Sequence, residues 1–197
     1  MLDAVLSRKN ASVKMRFTIK SLVSLALIVL AVTLPQLVHL AAGSAGGVKW
    51  LPMYLPVLIA GCVLGFKWGL AVGVLSPVVS YLVTLGTGNP MPAAVRLPYM
   101  IVELAVFAAV SGAFSKRIEK NSWMAFPAVL LAAVAGRVAF IAVAAIFTAV
   151  LPLSVQTVLA QVQTGLLGLV LQAVLVPLIV MALSFVLNRK NNEGDRA

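Results

Sequence analysis

Apolar residues fill this chain in long runs, and most of its charged positions fall between those runs rather than inside them. Residues 21–40 carry no charge, and apolar stretches with at most one charge each cover 51–66, 68–85, 97–115, 123–150 and 160–187. About 20 apolar residues make one helical crossing of a bilayer. The pattern therefore predicts six membrane helices, at 18–40, 51–66, 68–85, 97–115, 123–150 and 160–187. A basic segment, 1–17, precedes them and a polar tail, 188–197, closes the chain. The whole reads as one integral membrane domain of all-α class.

Details of the pattern refine the connections. Pro35 near the outer end of the first helix removes a backbone hydrogen bond, which predicts a kink or an early stop. The stretch 41–50, AAGSAGGVKW, reads as a flexible loop, and its Trp50 suits a membrane–water interface. Lys67-Trp68-Gly69 reads as the tight turn between the second and third helices. Gly61 and Gly65, then Gly69 and Gly73, are four apart, a spacing that lets helix backbones approach closely within the chain or against a partner. Gly69, Gly73, Ser76, Ser80 and Thr84 form one face of the third helix, a packing row. Loops are predicted at 86–96 and 151–159.

Composition turns the pattern into a class. With 62% hydrophobic and 10% charged residues and a mean hydropathy of +1.08, the chain lacks the charge a water-facing surface needs. Its one cysteine, Cys62, excludes an intrachain disulfide. The net charge of +10 could suggest nucleic acid, but the basic residues sit in short clusters between apolar runs, as membrane topology requires. With the N-terminus in the cytoplasm, 12 of the 15 basic residues fall inside and only Lys49 and Arg96 fall outside. Arg137 lies within a span. Both termini are therefore expected to be cytoplasmic. A secretory signal would start in the same way, with 42–47 as its cleavage region, but the first apolar run is longer than such a region and is expected to stay as a helix.

Two charges lie well inside predicted spans, Glu103 and Arg137, while Lys20 stands at the inner end of the first. A charge at that depth costs about 2.5–3.5 kcal/mol on insertion scales, so it is expected to face the bundle interior beside a partner. A Glu103–Arg137 pair could simply hold two helices together, or one or both groups could orient a polar ligand. Tyr99, one turn before Glu103, could stack on a ligand or belong to the interfacial belt. Arg96 and Lys49 would stand at the mouth. Asn89 is a turn residue that could also touch a ligand, and Gln161 is the most pocket-like of the amides in the last helix. His39 has no second histidine or cysteine beside it, so no metal site is expected. No HExxH, paired carboxylates, P-loop or serine–histidine motif is present, which predicts neither catalysis nor a cofactor.

The run LPMYLPVLIAGCVLGFKWGLAVGVLSPVVSYLVT (51–84), then NPMP (89–92), LPYMIVELAVFAAVSG (97–112), GRVAFIAVAAIF (136–147) and TGLLGLVLQAVLVPLIV (164–180) resembles the substrate-binding S components of energy-coupling factor (ECF) transporters. The resemblance implies a six-transmembrane-helix bundle of S-component type in a bacterial-type cytoplasmic membrane. Near the outer face it implies a pocket for a small water-soluble vitamin or precursor. It also implies partners, a transmembrane T component and two ABC-type ATPases, with toppling in the membrane to release substrate inside. The expected ligand-binding set is Glu103, Arg137, Tyr99, Arg96, Asn89, Trp50 and Gln161. One acidic and one basic buried group would suit a small, pantothenate-like ligand with a carboxylate and hydroxyls, while folate, cobalamin and pyrimidine compounds stay open.

Two departures qualify the resemblance. Relatives often carry alanines four apart in the first helix for docking, whereas Ala26 and Ala31 here are five apart. The expected docking face becomes Ala105, Ala109 and Ala113 with Gly69 and Gly73. The loop GTGNPMP also differs from a compact TGMP-like turn. The alternative to a transporter subunit is a scaffold protein in which Glu103–Arg137 is only a packing pair.

Overall fold

The computed structural model describes residues 2–8, 11–86, 88, 90–148 and 155–194, and every regular element among them is helical. In chain order these are α1 (Leu2–Arg8), α2 (Val13–Trp50), α3 (Tyr54–Leu64), α4 (Phe66–Leu85), α5 (Leu97–Ala113), α6 (Ser115–Lys120), α7 (Ala125–Thr148) and α8 (Val155–Gly194). Five described segments are long and apolar enough to cross a membrane: Val13–Gly43, Phe66–Leu85, Ala94–Ala113, Ser122–Ile146 and Leu159–Leu187. Large apolar side chains such as Leu25, Leu82, Leu130 and Val170 stand on the outer surface. That suits a solvent of lipid tails, which are as apolar as leucine.

The second predicted crossing differs in kind. α3 has 11 residues, ten of them buried, and at 1.5 Å per residue it is about 16 Å long. The hydrocarbon core is about 30 Å thick, so α3 is an interior wedge against α2, α4, α5 and α8. Its end is set by Gly65, at φ 85 and ψ −177, a conformation that favours glycine. The turn expected at Lys67-Trp68-Gly69 is therefore Gly65 alone, and those three residues open α4.

The expected loop 41–50 is also corrected. Helical backbone continues through Pro35 and on to Trp50, interrupted only at Gly43, where φ is 68 and ψ −174. The helix thus tolerates the lost hydrogen bond at Pro35 and runs on through a stretch whose three glycines, Gly43, Gly46 and Gly47, have low helix propensity. The chain turns at Leu51 instead, with φ 48, and Tyr54 N donates to Leu51 O at 3.0 Å to start α3. At the far end, α8 begins at Val155, so 155–159 are helical rather than loop. Residues 151–154 lie outside the described residues. The tail expected from 188 is helical to Gly194.

α5 sits at the centre, packed against α3, α4 and α7, with Leu104 and Phe107 fully buried. The small residues decide how closely its neighbours come. A Cβ on Gly69 would stand 2.7 Å from Gly61 Cα, and one on Gly73 would stand 2.6 Å from Leu104 O. Gly69 and Gly73 are thus occupied at crossings inside this chain, against α3 and α5. Ala105 and Ala109 are half-buried and Ala113 is exposed.

Candidate functional site

A cavity of about 470 Å³ opens at one end of the bundle. Its walls come from the C-terminal parts of α2, α4 and α7 and the N-terminal parts of α3, α5 and α8. That is the end to which the connections after α2 and α4 belong.

The wall on α5 follows from one helical repeat. A 3-10 turn, Ala94–Arg96, leads into α5 and leaves Arg96 half-exposed at the rim. Tyr99 comes next. It is buried, its ring meets Phe140 of α7 edge to face at 5.1 Å, and it lines the cavity rather than standing in an interfacial belt. One turn further on lies Glu103, on the same side because residues four apart stack along a helix.

Glu103 is fully buried and does not line the cavity. Its Oε1 pairs with Arg137 Nη1 of α7 at 3.2 Å, and its Oε2 accepts a hydrogen bond from the Tyr54 hydroxyl of α3. One carboxylate thereby joins three helices, Oε2 through a hydrogen bond and Oε1 through the ion pair alone, without a hydrogen bond. Arg137 stands between Glu103 and the cavity, which it lines, with 10% of its side chain exposed. Its guanidinium also lies over the Phe140 ring at 5.4 Å, a contact worth about 0.5–2 kcal/mol depending on desolvation. Two of its nitrogens, Nε and Nη2, are buried with no hydrogen-bond partner.

α8 completes this wall. Gln161 is half-buried and lines the cavity. Gly165, one turn along, faces Arg137: a Cβ there would stand 2.9 Å from Nη2 and 3.3 Å from Leu51 Cδ1. Gly168 lies against the end of α2, where a Cβ would meet Lys49 O at 2.7 Å and Trp50 O at 2.9 Å. Trp50 is 39% exposed and is not part of the lining, although Leu51 beside it is. Asn89 lies outside the described residues.

The roof is held by hydroxyls of α4. Met91 lies between two prolines, which have no N–H to give. Its own N–H donates to Thr84 Oγ1 at 2.7 Å, and its carbonyl accepts from Ser80 Oγ at 2.7 Å. The row read as packing thus also ties Met91 and Pro92 over the cavity, which both line. Sequence reasoning missed these residues, and missed Tyr54, Met53, Pro35 and His39, which share the lining. Only Tyr54 gave a usable signal, since a buried carboxylate with two oxygens calls for a second donor.

Among the described residues the cavity presents two arginines and no carboxylate, with Tyr54, Ser80, Tyr99, Gln161 and His39 as further polar groups among apolar neighbours. A few fixed polar groups in an apolar cavity are what orients a small ligand. A family model described as "ECF transporter, substrate-specific component" matches residues 16–187. No curated protein matches the chain, and no solved structure does.

Proposed function

We propose, from the premise that the chain belongs to the family of ECF transporter substrate-specific components, that it captures a small water-soluble vitamin or vitamin precursor in this cavity. It delivers that ligand through a transmembrane T component driven by two ABC-type ATPases. The observation that carries the reading is the cavity itself, 470 Å³ with Arg96, Tyr99, Arg137 and Gln161 in its walls. A volume between about 300 and 1,000 Å³ suits a ligand of vitamin size.

Charge distribution supports the orientation. We read the basic clusters as keeping both termini in the cytoplasm of a bacterial-type cell, with α3, too short to span the bilayer alone, still carrying the chain back between α2 and α4; that reading puts the cavity at the outer face, where capture is needed. Ala105, Ala109 and Ala113 form the docking stripe proposed for the T component. Gly69 and Gly73, being filled from within, serve the fold that presents it.

The scaffold reading draws on one observation, that Glu103 is sealed from the cavity by its two partners. Ligand binding separates the readings. The purified chain is expected to bind at least one member of a panel of water-soluble vitamins at micromolar or tighter affinity by calorimetry, or to carry one in native mass spectrometry of membrane-extracted protein. A chain that carries no small molecule and binds none of the panel is a scaffold.

A further inference from the structure

We infer that the rim of the bundle opposite the cavity binds an anionic phospholipid, whose headgroup is held by Lys67, Lys116 and Arg117. This second site stands whether or not the cavity takes a vitamin.

Two helix starts bring the cations together. A Cβ on Gly65, between α3 and α4, would stand 3.2 Å from Ser115 Oγ at the start of α6, and one on Gly112 would stand 2.7 Å from Phe66 Cα. The beginning of α4 therefore lies against the junction of α5 and α6. Lys67 is two residues past Gly65, and Lys116 and Arg117 directly follow Ser115, so all three are exposed within two residues of this crossing. α6 cannot roll to bury them, because Ile118 is fully buried beneath it. The Phe114 carbonyl also accepts from Arg117 N at 2.8 Å and Ile118 N at 2.9 Å, which continues the backbone of α5 into α6. The Arg117 guanidinium lies 5.3 Å from the centre of the Phe114 ring. Glu119, the carboxylate of α6, is already engaged within the chain.

The neighbours of these cations point to a lipid rather than a soluble anion. Phe66 and Trp123 stand exposed on either side of α6 in the chain. Trp123 stacks on Phe126 at 5.8 Å, and its backbone N–H donates to Asn121 Oδ1 at 3.1 Å. Across α4, Phe17 of α2 meets Trp68 edge to face at 5.2 Å. Exposed aromatic bodies suit the headgroup level of a membrane, so the cations among them stand at the depth of lipid phosphates. Leu75 and Leu82, exposed further along α4, offer apolar surface to acyl chains. A soluble phosphate would use none of this surface, whereas basic recesses between membrane helices suit anionic headgroups.

Native mass spectrometry of the full chain in detergent tests the inference, with phosphatidylglycerol and phosphatidylcholine of identical acyl chains supplied together. Each cation beside an anionic headgroup counts for about fivefold, and the zwitterionic competitor shares part of that gain. Phosphatidylglycerol is therefore expected to be retained about 10-fold over phosphatidylcholine. The triple variant Lys67→Gln/Lys116→Gln/Arg117→Gln is expected to lose that preference to within about twofold. Arg189→Gln/Lys190→Gln/Arg196→Gln removes the same charge from the end of the chain and is expected to keep it. Equal losses in the two variants would reduce the patch to a general field of positive charge and overturn the site. Equal retention of both lipids by the parent chain also overturns it and leaves the patch to a protein partner. Inorganic phosphate in large excess is expected to leave the lipid adducts in place, and complete displacement would make free phosphate the occupant instead. The two-lipid comparison needs no variant, so it decides even where a substitution prevents folding.

Discussion

Tyr54 on the short α3 donates its hydroxyl hydrogen bond to Glu103 at the centre of α5, 49 positions further along the chain. This contact fixes the charged group that in turn holds Arg137 at the cavity wall. The wedge helix is therefore linked to the cavity wall through a chain of two polar contacts, tyrosine to glutamate to arginine.

Removing the first link is expected to cost stability before it costs chemistry. Tyr54→Phe leaves a fully buried carboxylate oxygen without its donor, a loss of about 1.5–3 kcal/mol for a hydrogen bond to a charged group. Thermal unfolding in detergent should show a clear fall in melting temperature. An unchanged melting temperature would contradict the burial and pairing of Glu103.

The ion pair is expected to behave as a unit. Glu103→Gln or Arg137→Met alone strands a buried partner and should destabilise by about 3–5 kcal/mol, whereas the double variant should recover much of that loss. Additive losses in such a cycle would mean that the two groups do not meet.

Gly69 and Gly73 are expected to tolerate nothing larger. Gly69→Leu and Gly73→Leu drive side chains into Gly61 and Leu104 backbone that lies closer than any real Cβ contact allows, and overpacking of this kind costs about 1–3 kcal/mol or more. Ala113→Leu, at an exposed position, should leave the melting temperature of the isolated chain unchanged. Should the glycine variants prove as stable as Ala113→Leu, the close crossings are wrong.

The roof is expected to loosen with its hydroxyls. Thr84→Val removes the acceptor for Met91 N–H, and hydrogen exchange of that amide should rise about 10-fold, the equivalent of roughly 1.4 kcal/mol. Exchange at α5 amides serves as the internal reference. Equal protection of Met91 in the variant and the parent would dismiss this tether.

Much of the framework is legible in the sequence for one physical reason: a bilayer leaves few alternatives to helices, and apolar runs mark them. The pairing of Glu103 with Arg137 follows from their being the two charges well inside predicted spans. What was not legible depends on tertiary context. Tyr54 opens a helix beside two prolines and looks like an interfacial aromatic until α5 is packed against it. Ala41 to Trp50 carries three glycines and reads as loop, but only Gly43 leaves the helical region. Ser80 and Thr84 look like helix-packing hydroxyls because their partner, the Met91 backbone, is recruited by a loop whose path the sequence does not disclose. The sealing of Glu103 was equally hidden: of the pair, Arg137 alone lines the cavity.

The order of α5 and α7 along the chain has a consequence for biosynthesis. Arg137 entering a bilayer alone would face about 2.5–3.5 kcal/mol of insertion cost. Because synthesis runs from the N-terminus, α3 and α5 are made before α7, so Tyr54 and Glu103 precede the arginine into the membrane. The growing protein meets its most difficult residue with a counter-ion already made, and a permuted chain that placed α7 first would have to insert it without one.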